Sequence, residues 1–200
     1  MARAILRFCG LAAFVALLFG VANEDKSYAA LVTGGSCGPA TQAFAQFGDS
    51  RYYNFAPNGG LELGSYGWSL SGAASVVAGN ESYYLHSRRD SHSLSLPKGA
   101  TATTPPMCMG TSSTVIRFVI KGDSHLRVQV VERNLLGVVI GVLDWTTISG
   151  TSSWQPSPTV VNLDCLLGLV GASSVQLRFT AVDGPSAVDD VYVDPMASSG

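Results

Sequence analysis

The stretch Leu126-Arg127-Val128-Gln129-Val130 decides the fold class. Its apolar residues take every second position, so an extended chain puts them on one face and Arg127 and Gln129 on the other, as a strand with one face in a core requires. Val175-Gln176-Leu177-Arg178-Phe179-Thr180-Ala181 repeats the alternation, and Ser93-Leu94-Ser95-Leu96 carries it until Pro97. The run Thr114 to Lys121 is apolar on both faces apart from Arg117, which predicts a central strand covered on both sides. Gly137 to Leu143 is expected to be of the same kind, interrupted at Gly141. β-Branched residues dominate both runs, and no stretch holds a helical period with caps at its ends. Eight to ten such strands, without alternating helices, predict an all-β fold of two antiparallel sheets packed face to face.

The first thirty residues have the layout of a cleavable signal peptide. Arg3 and Arg7 make a short positive region, and Leu11 to Ala22 make an apolar one that Asn23, Glu24, Asp25 and Lys26 end abruptly. That run is shorter than the roughly 20 residues a membrane span needs. Cleavage is expected near Ala29 or Ala30, giving a secreted, extracellular product with no membrane span. The expected organisation is a signal peptide (1–30), an N-terminal arm (31–49), a β-sandwich domain (50–195) and a short polar tail (196–200).

Removing residues 1–30 leaves nine basic and twelve acidic side chains. So few and so scattered cations do not match a phosphate backbone, which excludes nucleic acid as a partner. Cys37, Cys108 and Cys165 remain, and outside the cytoplasm one pair is expected to oxidise. Cys37 and Cys108 both lie in Gly/Pro/Thr-rich connecting sequence and are taken as that disulfide, with Cys165 a buried apolar residue. Closing so long a loop stabilises by roughly 4 kcal/mol in the chain-entropy model.

Two segments stand apart: Asn58-Gly59-Gly60-Leu61-Glu62-Leu63-Gly64-Ser65-Tyr66-Gly67-Trp68, and Ser186-Ala187-Val188-Asp189-Asp190-Val191-Tyr192-Val193-Asp194-Pro195. Together they resemble the jelly-roll sandwiches of the galactose-binding-like superfamily and of many carbohydrate-binding modules, where an early N-G-x-F-E-x-G turn followed by Trp lies beside a final strand reading I-D-D-V-x-V. Leu61 stands where those modules usually have Phe. If the first and last strands are neighbours, Glu62, Asp189 and Asp190 converge, and carboxylates so placed repel unless a cation neutralises them. The resemblance implies a structural calcium ion here. Glu62 and Asp190 are its expected ligands, Asp189 the alternative, with carbonyls of the glycine-rich turn completing the shell.

Trp145 and Trp154, in Ser/Thr/Gly-rich surroundings, and Tyr83-Tyr84 are the candidate ligand-binding aromatics, while Trp68 is assigned to the core. His86, His92 and His125 lack a close zinc-ligand spacing. The strand-to-helix turn of a hydrolase nucleophile is not predicted, and after cleavage Glu62, Glu81 and Glu132 are the only glutamates, a thin supply for glycoside hydrolysis. No catalytic residue is therefore assigned. The sequence leads to a non-catalytic carbohydrate-binding-like domain whose partner is a polysaccharide or cell-envelope glycan. A structural or protein-interaction module of the cell envelope, without sugar affinity, is the alternative.

Overall fold

The computed structural model describes residues 38–107, 115–134, 136–161 and 174–194. The signal peptide, the three cysteines with the expected Cys37–Cys108 pair, and the tail lie outside them.

Among the described residues, thirteen strands form two antiparallel sheets. One sheet contains β1 (Ala40–Thr41), β2 (Tyr53–Phe55), β4 (Ser75–Ala78), β5 (His92–Leu96), β7 (Val115–Lys121), β10 (Gln155–Pro156), β11 (Val160–Val161) and β13 (Ser186–Asp194). The other runs β3 (Ser69–Ser71), β6 (Thr101–Thr103), β12 (Ser174–Ala181), β8 (His125–Arg133), β9 (Val139–Ser149). Alternation places Leu126, Val128 and Val130 of β8 and Leu177 and Phe179 of β12 against Leu94, Leu96, Phe118, Ile120 and Val188 of the facing sheet. Trp68 packs into this core, its ring stacked on Phe179, as the sequence predicts.

β7 is central and buried from Val115 to Ile120, with β13 on one side and β10 and β11 on the other. Both its faces are covered because residues 43–49 fold back over the outside of the sheet. There Phe44, Tyr53, Val115 and Tyr192 form a second apolar cluster. Arg117, the polar exception in the run, lies in that layer: its guanidinium sits 4.5 Å from the Phe44 ring centroid and donates to Asp49 Oδ2 at 2.7 Å. The segment expected to be an arm leading into the fold is thus, from residue 40, part of the folded structure.

The Gly137–Leu143 expectation is corrected. This segment enters β9 at the sheet edge, and Val138, Val139, Ile140 and Val142 are exposed. An apolar run looks the same in sequence whether a second layer covers it or not; β7 has that layer and β9 does not.

Candidate functional site: a carboxylate pocket and a polar sheet face

Along one edge of β13 the pairing changes partner. Residues 186–188 pair with β5, and Tyr192 and Val193 pair with β2. At the change the register against β7 slips, so that Asp190 and Val191 together stand opposite Phe118. The extra residue is Asp190, in the left-handed region at φ 48°, a conformation Asp tolerates better than most side chains. The bulge drives two adjacent carboxylates into the gap between β2 and β5. The glycine-rich turn closes that gap from above: Gly59 accepts from the Val191 N–H at 3.2 Å, and a Cβ on Gly60 would lie 3.0 Å from Asp190 Oδ1.

The first and last segments are neighbours as expected, yet the carboxylates there do different things. Glu62 Oε1 accepts from the N–H groups of Ser91 and His92 at 2.7 and 2.8 Å, and Oε2 lies 3.2 Å from Ser91 Oγ and 3.1 Å from His92 Nδ1. Asp189 Oδ1 accepts from the Asp190 N–H and Oδ2 from the Glu81 N–H, both at 2.9 Å. Glu81, fully enclosed and not selected in the sequence, accepts from the N–H groups of Tyr83 and Leu85. Asp190 Oδ2 accepts from the His86 N–H at 3.1 Å. These acids therefore knit the 81–92 loop to the sheet through its own backbone donors.

One oxygen is left over: Asp190 Oδ1 is buried and receives no N–H or O–H donor, while the Glu81 carboxyl stands within hydrogen-bond reach of the Asp190 carboxyl. Burial, and then the neighbouring Asp190 charge, push the Asp189 carboxyl up to about 8. Burial and the Glu81 charge raise Asp190 as well. Around the orphaned oxygen the groups that converge are His86, Asp90 and Asp190, whose candidate ligand atoms all lie within 4.8 Å of one another.

This donor set fits a cation but not the implied calcium, which takes six to eight oxygens. Glu62 and Asp189 are engaged by loop donors. Several of the turn carbonyls are occupied too: those of Ala56, Asn58, Gly59 and Leu61 accept backbone N–H groups, and those of Gly64 and Tyr66 accept the Asn58 amide.

The candidate aromatics do not form one platform. Trp145 is half-buried against the core with its indole N–H enclosed and unpartnered, and Trp154 is half-buried with its carbonyl accepting the Tyr83 hydroxyl at 2.7 Å. Tyr83 packs edge-on against Phe47 at 4.9 Å between centroids. Of the four, Tyr84 is the most exposed, at 49%.

A different surface is polar across a whole sheet. On the five-stranded sheet, the positions facing away from the core line up in two rows that cross every strand. Ser69, Thr103, Arg178, Gln129 and Asp144 are register partners in the first, and Ser71, Thr101, Thr180, Arg127 and Thr147 in the second. Every one of these side chains is polar; Thr103, Gln129 and Thr180, in the middle strands, are buried, and the others are half-buried or exposed. Gln129 Nε2 donates to Asp144 Oδ1 at 2.8 Å, Ser71 and Thr101 share a hydroxyl bond of 2.6 Å, and Thr180 Oγ1 has no partner. The signal was present in the sequence as the outward half of the alternations that revealed the strands. Reading the rows needed the strand order.

No protein-family model and no curated protein matches this chain. Among solved structures it is similar to the enzymatically active domain of tailspike protein 4 of bacteriophage CBA120, at 15% identity and TM-score 0.52, over 70% of this chain and 21% of that one. It is also similar to the N-terminal CBM22-1–CBM22-2 tandem of Paenibacillus barcinonensis Xyn10C, at 13% identity and TM-score 0.50, over 74% and 46%. The CBM22-1–GH10 modules of Clostridium thermocellum Xyn10B complexed with xylohexaose give 11% and 0.50, over 73% and 29%. The chain thus spans less than half the length of these three proteins. Its fold is the jelly-roll β-sandwich of carbohydrate-binding modules.

Proposed function

We propose that this chain is an exported, non-catalytic glycan-binding module that engages an oligosaccharide across the outer face of its five-stranded sheet. The two all-polar rows carry this reading. Hydroxyls, two guanidinium groups and an amide on one pleated surface supply donors and acceptors at strand spacing, which suits a ligand that is itself a ladder of hydroxyls. Recognition here rests on hydrogen bonds, with the aromatics placed elsewhere. Hydrolysis would need two carboxyl groups about 5–9.5 Å apart across the bond, and the rows contain one, Asp144. Likeness to the CBM22-1–GH10 modules complexed with xylohexaose supports a β-linked polysaccharide as the first ligand to try.

The test is a glycan array with the full chain, followed by calorimetry with xylohexaose and with any array ligand. Arg178→Ala and Arg127→Ala should each weaken binding about tenfold or more, since a hydrogen bond involving a charged group is worth about 1.5–3 kcal/mol. Binding that survives both changes but is lost in Tyr84→Ala would move the site to the 81–92 loop; silence on every glycan would defeat the reading.

A second reading has its own observation. Leu136, Val138, Ile140 and Val142 expose an apolar patch at the β8–β9 hairpin, which suits a protein contact in the cell envelope. If Ile140→Lys abolishes capture of an envelope protein while Arg178→Ala leaves it intact, that reading prevails.

A further inference from the structure

We propose that His86, Asp90 and Asp190 form a binding site for a zinc-class divalent cation, in place of the calcium of the resembling modules. The site belongs to the β13 side of the sandwich, so it stands or falls independently of the glycan face. Its chemistry is that of the donors: one imidazole nitrogen and two carboxylates, mutually within 4.8 Å. Zinc is held at about 2.0–2.2 Å by such nitrogen and oxygen ligands in a tetrahedron, so its ligand atoms stand about 3.4 Å apart, a separation these three reach with small side-chain movements. Calcium takes no imidazole by preference and finds too few oxygens here.

Three features prepare the site. Asp190 Oδ1 is buried, receives no N–H or O–H donor and is aimed at the space beneath Gly60, where a Cβ would stand 3.0 Å from it and 3.7 Å from Asp90 Oδ2. The glycine keeps open the volume an ion would fill. The His86 ring is held flat against Phe55, 3.9 Å between centroids and 2° between planes, with Nδ1 directed at Asp90 Oδ2 2.7 Å away. Its backbone N–H meanwhile fixes Asp190 through Oδ2, leaving Oδ1 for the cation. His86 also lines a cleft of about 700 Å³ between residues 38–43 and the loop. Three protein ligands leave a fourth position for water.

The full chain, stripped with EDTA, is titrated calorimetrically with Zn²⁺ and Ca²⁺, and its melting temperature is followed. One equivalent of Zn²⁺ should bind and raise the melting temperature, Ca²⁺ should do neither at millimolar concentration, and Co²⁺ should show the visible d–d bands of a tetrahedral site. His86→Ala and the more conservative Asp90→Asn should each weaken Zn²⁺ by about a hundredfold or more, beyond what loss of an outer hydrogen-bonding partner costs. Zn²⁺ binding that is unchanged in both variants would assign the metal to other residues and overturn the proposal. So would a melting temperature raised by Ca²⁺ and not by Zn²⁺, or a protein indifferent to both.

Discussion

Glu132 and Asp49 are both buried carboxyls, and their surroundings send them in opposite directions. Glu132 lies on the core side of β8 with no exposure, and neither of its oxygens has a hydrogen-bond partner. Gly141 opposite makes room for it: a Cβ there would meet Glu132 Oε2 at 2.8 Å. Burial alone raises its pKa. A carboxyl raised on folding favours the native state while both states are protonated. That advantage is lost as pH climbs from the ordinary carboxylate range through the raised value. Replacing Glu132 by Met, which has similar length and no polar atoms to desolvate, should stabilise the protein by about 1–3 kcal/mol at neutral pH in urea unfolding. The gain should shrink as the pH is lowered toward 4. A gain that stays flat with pH would mean that the Glu132 carboxyl is not raised on folding.

At the scale of the element, the bulge in β13 is the feature on which the pocket depends. Pairing with β5, a slip at Asp190 and pairing with β2 follow within eight residues, and the Gly59–Gly60 turn must approach the slip closely. A Cβ on Gly59 would stand 2.7 Å from the Val191 carbonyl oxygen and 3.0 Å from that of Ala56, both parts of the backbone. Neither can yield as a side chain would. Gly59→Ala should therefore cost about 1–3 kcal/mol, whereas Gly64→Ala meets no atom within 4 Å and pays only for its positive φ. Equal losses in the two variants, measured by chemical denaturation, would show that the close approach does not matter. β9 shows the other use of irregularity. Its register slips twice against β8, and such breaks blunt an edge strand against unwanted pairing.

The whole molecule has three layers where the sequence suggested two: two sheets, and the 43–49 segment laid across the outside of one. Asp49 holds that third layer. Burial opposes its ionisation, but the Tyr53 hydroxyl at 2.7 Å, the Arg51 N–H and the Arg117 guanidinium together keep its carboxyl below the usual range. A carboxyl depressed on folding stabilises fully above its unfolded value near 3.8, and the contribution disappears as pH falls through the lower native value. Asp49→Asn leaves Arg117 enclosed without its counter-charge and should cost about 3 kcal/mol at pH 7. The difference from wild type should close on acidification below about pH 4. A constant difference down to pH 2 would place the acid sensitivity elsewhere.

The sequence by itself determined the strands, the pairing of a two-sheet sandwich, the core position of Trp68, and the meeting of the Asn58–Trp68 turn with the Asp189–Asp190 strand. The strands and the sandwich follow from period-two alternation, which is local, and the meeting of turn and strand is what the resemblance to carbohydrate-binding modules implied. It could not determine which apolar run would be covered twice, because Val115–Ile120 and Val138–Leu143 differ only in what folds over them. Nor could it say which acids share a pocket. Glu62 and Asp190 are both near the turn, but the bulge and the 81–92 loop decide that Glu62 is consumed by Ser91 and His92 while His86 and Asp90 face Asp190. Hydrogen-bond partners and ligand sets are set by distances between segments far apart in sequence, and those distances exist only once the sheets have closed.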